Sequence, residues 1–240
     1  MRDYGFRHEL KHFLTISDAA ALRPGLRAAL KPDAFHADTG GAYTIRSLYF
    51  DDADDSALWE KLDGTDKRVK FRIRYYNDDE SVINLEKKSK LGGLCRKQSA
   101  RVAKEQVLSI LAGDYAVLRG TGDPLLTEFY IRLTETRLRP RTLVIYEREA
   151  YSCRFGNTRL TLDSNVRSGL DAVNLFNRAL PTVRVMPPSQ TLLEIKYDGY
   201  LPDFVRMICQ TDNRQASSYS KYAACRVCFD GAPGRRSEEL

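Results

Sequence analysis

The sequence contains no apolar run approaching the ~20 residues a helix needs to span a bilayer. Its opening, Met1-Arg2-Asp3-Tyr4-Gly5-Phe6-Arg7-His8-Glu9, lacks the apolar core of a signal peptide. A cytoplasmic protein is the expectation. Cysteine is sparse and odd in number, with Cys95, Cys153, Cys209, Cys225 and Cys228 scattered along 240 residues. In a chain without an export signal these read as reduced thiols, which excludes a disulfide frame. Cys225 and Cys228 have the spacing of half a zinc site. There is no second CxxC, and His8, His12 and His36 lie far away in sequence, so no zinc site is expected. Repeats, low-complexity blocks and linkers are also missing. One domain over 1–230 is therefore expected, followed by a disordered polar tail, 231–240.

What is present is ordinary in amount, 42% hydrophobic and 29% charged residues, enough for a real core. The net charge of +6 points to an anionic partner without naming it. The charge is arranged unevenly. From Lys67 to Tyr76, period two puts Arg68, Lys70, Arg72 and Arg74 on one face, and Val69, Phe71, Ile73 and Tyr75 on the other. Cations on one face of a strand stand only ~7 Å apart. They repel unless an anion lies along them. Taken alone, such a strand reads as a solvated edge whose charges discourage sheet-to-sheet aggregation.

The rest of the chain reads as strands interrupted by helices. Residues 4–16 alternate as a strand, and Ser17 can cap a helix to Leu30 that Pro24 must kink or split. Strands are expected at 44–52, 81–88, 94–102, 142–151, 157–163 and 191–197, with turns at Asn77-Asp78-Asp79 and Gly92-Gly93. Helices are expected at 56–62, 103–112 and from the Asp123-Pro124 cap to about 137, with a last one from Pro202 to about 210. This order indicates α+β and argues against a doubly wound parallel sheet.

The basic face recurs. Glu9 and Lys11 share a face, as do Glu86 and Lys88, Tyr146 and Arg148, Arg159 and Asp163, and Glu194 and Lys196, each opposed by apolar neighbours. An open sheet with one wet side could do this. That alternative predicts Ser, Thr and Gln mixed freely among the charges, whereas these faces are mainly cationic with single carboxylates at repeated spacing. A closed barrel has one continuous inner face, and amphipathic helices could cover its apolar outside. Cations buried there without partners would cost several kcal/mol each. A polyanion with a divalent metal on one or more glutamates would offset that cost. Phosphate chains fit best, because Arg grips phosphate oxygens through two donors and Lys acts as a point charge.

Eight motifs occur in order: Arg7-His8-Glu9-Leu10-Lys11, Ser47-Leu48-Tyr49-Phe50-Asp51, Lys70-Phe71-Arg72-Ile73-Arg74-Tyr75-Tyr76, Leu85-Glu86-Lys87-Lys88, Tyr146-Glu147-Arg148, Arg159-Leu160-Thr161-Leu162-Asp163, Leu193-Glu194-Ile195-Lys196 and Ser220-Lys221-Tyr222. Together they resemble the VTC domain, the catalytic domain of the vacuolar transporter chaperone complex, in the triphosphate tunnel metalloenzyme (CYTH-like) superfamily. The resemblance implies a closed antiparallel β-barrel tunnel of about eight strands with helices outside. It also implies polyphosphate synthesis from ATP. By motif, Arg72, Arg74, Lys88, Arg148 and Lys221 would be catalytic. Lys11, Lys70, Arg96, Tyr146, Arg159, Lys196 and Ser220 would bind triphosphate or polyphosphate. For the basic residue after the Gly-Gly turn, Lys97 is the alternative to Arg96. Glu194 would hold Mn²⁺ or Mg²⁺, with Glu9 or Glu86 as a possible second ligand.

Hydrolytic tunnel enzymes usually begin Glu-x-Glu-x-Lys. Arg7 stands at the first Glu position, which disfavours a plain triphosphatase and matches the polymerase branch. No stretch resembles the SPX domain or the membrane segments of the eukaryotic complex, so a stand-alone bacterial version is expected. The alternatives are a triphosphate or polyphosphate hydrolase in the same tunnel and a non-catalytic polyanion binder. Phe71, Ile73 and Tyr75 face away from the cations, so no nucleic-acid partner is expected. The oligomeric state is not legible.

Overall fold

The structure, a computed structural model, describes residues 1–230, so the tail at 231–240 lies outside the described residues. In chain order its strands are β1 (Arg2–Thr15), β2 (Lys31–Pro32), β3 (Tyr43–Asp51), β4 (Arg68–Tyr76), β5 (Asp79–Leu91), β6 (Leu94–Val102), β7 (Arg139–Cys153), β8 (Thr158–Ser168), β9 (Val183–Arg184) and β10 (Gln190–Tyr197). Its helices are α1 (Ile16–Ala29), α2 (Ala34–Thr39), α3 (Ser56–Leu62), α4 (Lys104–Leu111), α5 (Pro124–Thr134), α6 (Asp203–Cys209) and α7 (Lys221–Asp230). No described helix is long and apolar enough to cross a membrane.

Eight of the strands close into an antiparallel barrel in the order β7-β3-β4-β5-β6-β1-β10-β8, with β8 pairing back onto β7. Two tight turns fix the register of its basic wall. Asn77 and Asp78 take φ of 49° and 55° between β4 and β5, and Gly92 and Gly93 take 58° and 76° between β5 and β6. Positive φ at both central residues is the hairpin geometry whose twist matches the strands it joins. It sets Lys70 opposite Lys88 and Arg72 opposite Glu86, and Lys88 opposite Lys97.

The apolar faces point outward into helices, as the alternation predicts. Phe50, Phe71, Ile73, Tyr75 and Leu85 pack with Val107 and Ile110 of α4 and Leu126, Phe129 and Leu133 of α5. Around the barrel, Leu14, Leu160, Leu162, Leu193 and Ile195 pack with Leu22 and Leu26 of α1 and Val205 of α6. Each such aliphatic or Phe side chain contributes about 1.5–3 kcal/mol on burial. The barrel is thus held largely from outside. On the inward side, Ile45, Val144, Val166 and Leu192 pack with Tyr222, Ala223 and Cys225 of α7, and the rest of the inner face is left to polar groups.

Several expected details differ. The cap of α1 is Thr15, not Ser17. The Thr15 hydroxyl accepts from the Asp18 N–H (3.1 Å), and the Asp18 carboxylate accepts from the Thr15 N–H (3.2 Å), a reciprocal pair that satisfies two helix-end donors. Pro24 does not split α1, because Leu22 and Leu26 on either side of it are buried. The Pro202 helix is not the last. α7 follows it, with only Tyr222, Ala223 and Cys225 buried along its start and Arg226 breaking the stripe. β8 runs five residues beyond the expected 163, past a register shift at Asn165 (φ 49°). All five cysteines are free, and the Cys228 thiol donates to the Cys225 carbonyl within α7.

Candidate active site

Three acidic centres organise the inner face. In the first, Glu86 on β5 accepts from Nε of Arg72 (2.8 Å) and from its Nη2, while Lys97 stands 3.2 Å and Arg74 3.7 Å from the same carboxylate. The Tyr49 hydroxyl takes Nη1 of Arg72 (2.6 Å), and Ser47 and Tyr146 take Nε and Nη2 of Arg74 (2.8 and 2.9 Å). In the second, Arg148 on β7 donates a two-pronged pair to Asp163 on β8 (2.6 and 2.7 Å), and Lys221 at the start of α7 lies 2.6 Å from the same carboxylate. The third joins Glu9 and Glu194 from neighbouring strands. Glu9 has Lys11, Lys196 and Lys88 at 3.2, 3.3 and 3.5 Å, and Glu194 has Lys196 at 2.5 Å.

These contacts leave a cationic surplus. Lys11, Lys70, Arg72, Arg74, Lys88, Lys97, Arg148, Lys196 and Lys221 are nine cations facing the four carboxylates Glu9, Glu86, Asp163 and Glu194. Burial would raise the proton affinity of all four acids, but the surrounding cations win. Lys88 chiefly, then Lys11 and Lys196, hold Glu9 at about 2. Arg72, Lys97 and Arg74 hold Glu86 well below the carboxylate range, and the lysines around Glu194 do the same for it. The same burial draws Lys97 down to about 8, with Glu86 opposing the shift.

The inner face encloses two cavities, of about 270 and 100 Å³. Arg72, Arg74, Lys88, Arg148, Glu194 and Lys196 line both, so the two share a common wall at the middle of the barrel. The larger opens past Arg7 and Arg159, and the smaller is lined on its far side by Tyr219, Ser220, Lys221 and Tyr222 leading into α7.

Most of the residues singled out from sequence therefore come together. Lys11, Lys70, Arg72, Arg74, Lys88, Tyr146, Arg148, Lys196, Ser220 and Lys221 line the smaller cavity with Glu194. Arg159 stands at the wide mouth, bonded to Asp33 (2.8 Å). Arg96 and Lys97 both line the larger cavity. The Arg96 guanidinium is paired with Asp3 and lies over the Phe6 ring at the rim, while Lys97 faces inward onto Glu86. Ser47, Tyr49 and Asp163 carry no site role in the sequence reading, yet they hold Arg74, Arg72 and Arg148. Their signal was parity, since each sits at period two from another inward residue on its own strand.

The sequence profile of the VTC domain matches residues 6–229. The chain belongs to the VTC domain family. A search of curated proteins finds no match. Among solved structures, a Hippeastrum protein described as a putative adenylyl cyclase with a dominant triphosphatase activity superposes with a TM-score of 0.51. It is 15% identical, and the match covers 91% of this chain and 94% of that one. A putative adenylate cyclase from Bacillus halodurans gives a TM-score of 0.49 at 15% identity, covering 91% and 97%. The Hippeastrum likeness establishes the shared fold.

A tunnel metalloenzyme fold implies a divalent metal. In this VTC domain the donor set fits one at Glu9 and Glu194. Glu194 raises the proton affinity of Glu9, and Oε1 of Glu9 is buried without a hydrogen bond, with the Lys196 and Lys88 ammonium groups at 3.3 and 3.5 Å. No group of three His, Cys, Asp or Glu that could hold a metal exists among the described residues. An ion here would complete its shell with phosphate oxygens and water, as Mg²⁺ and Mn²⁺ do. Both oxygens of Glu86, the other possible second ligand, accept hydrogen bonds, from Arg72 and from Lys97.

Proposed function

We propose that this VTC domain is a polyphosphate polymerase that transfers the γ-phosphate of ATP onto the end of a polyphosphate chain. The observation that carries the reading is the nine-to-four excess of cations over carboxylates inside a closed barrel. A buried surplus of that sign is stable only with a polyanion beside it. The chain end attacks the γ-phosphorus, the bond to the bridging β–γ oxygen breaks, and ADP leaves. The acceptor is already anionic, so the protein's task is alignment and stabilisation of charge on the transferred group. Arg72, Arg74, Lys88 and Arg148 line both cavities and would grip the reacting phosphates. Their acidic and hydroxyl partners fix the guanidinium planes before substrate arrives, which lowers the cost of binding. Lys11, Lys196 and Lys221 would hold the flanking phosphates. A divalent ion, when bound by Glu194 and Glu9, would supply further neutralisation of phosphate oxygens. The reading includes a cytoplasmic location, where ATP is at hand.

One observation favours a second reading. Oε1 of Glu9 has no hydrogen-bond partner and could orient a water, which would make the domain a triphosphate or polyphosphate hydrolase. Against this, Arg7 at the wide mouth pairs with Asp198 (2.7 Å) and adds positive charge on the strand that carries Glu9. Incubation with ATP and Mn²⁺, followed by gel analysis, separates the readings. Long phosphate chains with ADP support the polymerase. Phosphate release alone supports the hydrolase. Tight polyphosphate binding without turnover leaves a polyanion binder.

A further inference from the structure

Among the described residues, every Lys and Arg lining the two cavities has a carboxylate within 4.0 Å, except Lys70. Its Nζ is buried and makes no hydrogen bond. The only favourable group beneath it is the ring of Tyr222, with the centroid 4.7 Å away. Asp51 on β3 is the acid that acts on it most strongly, but that carboxylate is engaged by the Tyr222 hydroxyl (2.5 Å) and by the N–H groups of Ala57 and Leu58 (2.9 and 3.1 Å). From the other elements Lys70 meets Arg68 on its own strand, Lys61 and Glu60 on α3 and Lys88 on β5. Lys11 and Glu9 on β1 line the groove beside it. Burial chiefly, opposed by Asp51 and reinforced by Arg68, Lys61 and Lys88, draws its proton affinity down to about 7.

Its place explains what such a group could do. Lys70 lines the smaller cavity with Lys11, Ser220 and Lys221, and also the groove outside with Lys61, Arg68 and Lys90. A phosphate chain leaving the cavity on this side passes it. We propose that Lys70 binds a phosphate group where the smaller cavity opens to this groove, taking one proton from solvent as the phosphate arrives. The proposal rests on the tunnel binding tri- or polyphosphate. Above neutral pH the amine is neutral in the free domain, which avoids an uncompensated charge in a dry, cation-rich site and leaves eight cations over the four carboxylates. An arriving phosphate supplies both negative charge and an acceptor, so the amine becomes an ammonium donating to it, and no bond in the chain is broken. Binding then consumes a proton above neutral pH, and affinity for the chain falls as pH rises. A chain end could thus be held or released with pH at the groove without disturbing the carboxylate-anchored cations of the centre.

Calorimetric titration with tripolyphosphate, without divalent metal, in two buffers of different ionisation enthalpy gives the proton count directly. At about pH 8.5 the wild type should take up about one proton more per tripolyphosphate than Lys70→Arg, whose side chain is always charged. The ligand's own ionisation is common to both and cancels. Near pH 6 the two should agree. Lys70→Met should bind about tenfold more weakly, with an unchanged circular dichroism spectrum. Equal proton uptake by wild type and Lys70→Arg at the higher pH, or undiminished binding by Lys70→Met, overturns the proposal alone. A wild type that does not bind tripolyphosphate overturns the tunnel reading and this proposal with it.

Discussion

Replacing Glu86 by glutamine removes one negative charge from beneath three cations. Arg72 loses its closest acceptor, and Arg74 and Lys97 lose the carboxylate at 3.7 and 3.2 Å. All four groups lie inside the barrel, so the loss is that of one partner in a buried ionic cluster, which costs about 3–5 kcal/mol. For a domain of this length each kcal/mol lowers the melting temperature by about 2–4 °C, giving a fall of roughly 6–20 °C at pH 7. The pH dependence has a definite sign. Folding depresses the proton affinity of Glu86 well below its ordinary 4.5, so its contribution is fully present above that value and fades as pH falls below it. The gap between wild type and Glu86→Gln should therefore narrow in acid. Tripolyphosphate adds a second arm. At a hundredfold excess over its Kd a ligand contributes about 2.7 kcal/mol, and a variant with one lumen charge fewer to oppose the anion should gain more than the wild type does. Differential scanning fluorimetry with and without tripolyphosphate reads both arms. A variant within about 0.5 kcal/mol of wild type at pH 7, or one whose deficit persists unchanged with the anion bound, refutes the reasoning that Glu86 anchors a substrate-facing cluster.

Arg72→Ala should lower ATP turnover by at least about a hundredfold, the scale of losing a preorganised charged donor, while leaving the far-ultraviolet spectrum intact; turnover near wild type would make the basic face structural. Arg96→Ala and Lys97→Ala should part company, the first staying within about twofold of wild type and the second falling about tenfold or more, because only Lys97 faces Glu86. Thr15→Ala breaks the cap of α1 and should cost about 1 kcal/mol in urea denaturation without changing turnover; a matching loss of activity would mean that α1 is coupled to the lumen.

Period-two alternation made the barrel legible because the polarity rule here is inverted. Most of the core lies between strands and helices, outside the barrel, and the inner face is charged except where Ile45, Val144 and Leu192 meet α7. Lys70, Arg72 and Arg74 on one side of β4, and Val69, Phe71 and Ile73 on the other, show both faces in one segment. What alternation could not supply was pairing. Asp163 shares a face with Arg159 on β8, but its partner Arg148 is found only once β7 and β8 are in register. The ambiguity between Arg96 and Lys97 has the same origin. A slip of one residue after the Gly92-Gly93 turn reverses every side chain of β6, and only the ladder that sets Lys88 against Lys97 decides it. α7 escaped for a different reason: it is short, its buried stripe of Tyr222, Ala223 and Cys225 is interrupted by Arg226, and polar contacts of Lys221 on Asp163 and Tyr222 on Asp51 supplement its apolar packing.

The acids inside the tunnel do more than balance charge. If neutralisation were their purpose, four carboxylates would be too few for nine cations. Their placement instead fixes direction. Asp163 holds both prongs of the Arg148 guanidinium, Glu86 holds one edge of Arg72, and Ser47 and Tyr146 hold Arg74. Each arginine is oriented while the barrel as a whole stays positive. A substrate phosphate then meets donors already in place and a field not yet cancelled, and the charge that completes the interior is its own. On this argument the empty domain should be the less stable state, and the stabilisation by tripolyphosphate should diminish with added salt, because the cations it meets would already be screened. Stabilisation that is independent of salt would place the anion away from the charged lumen.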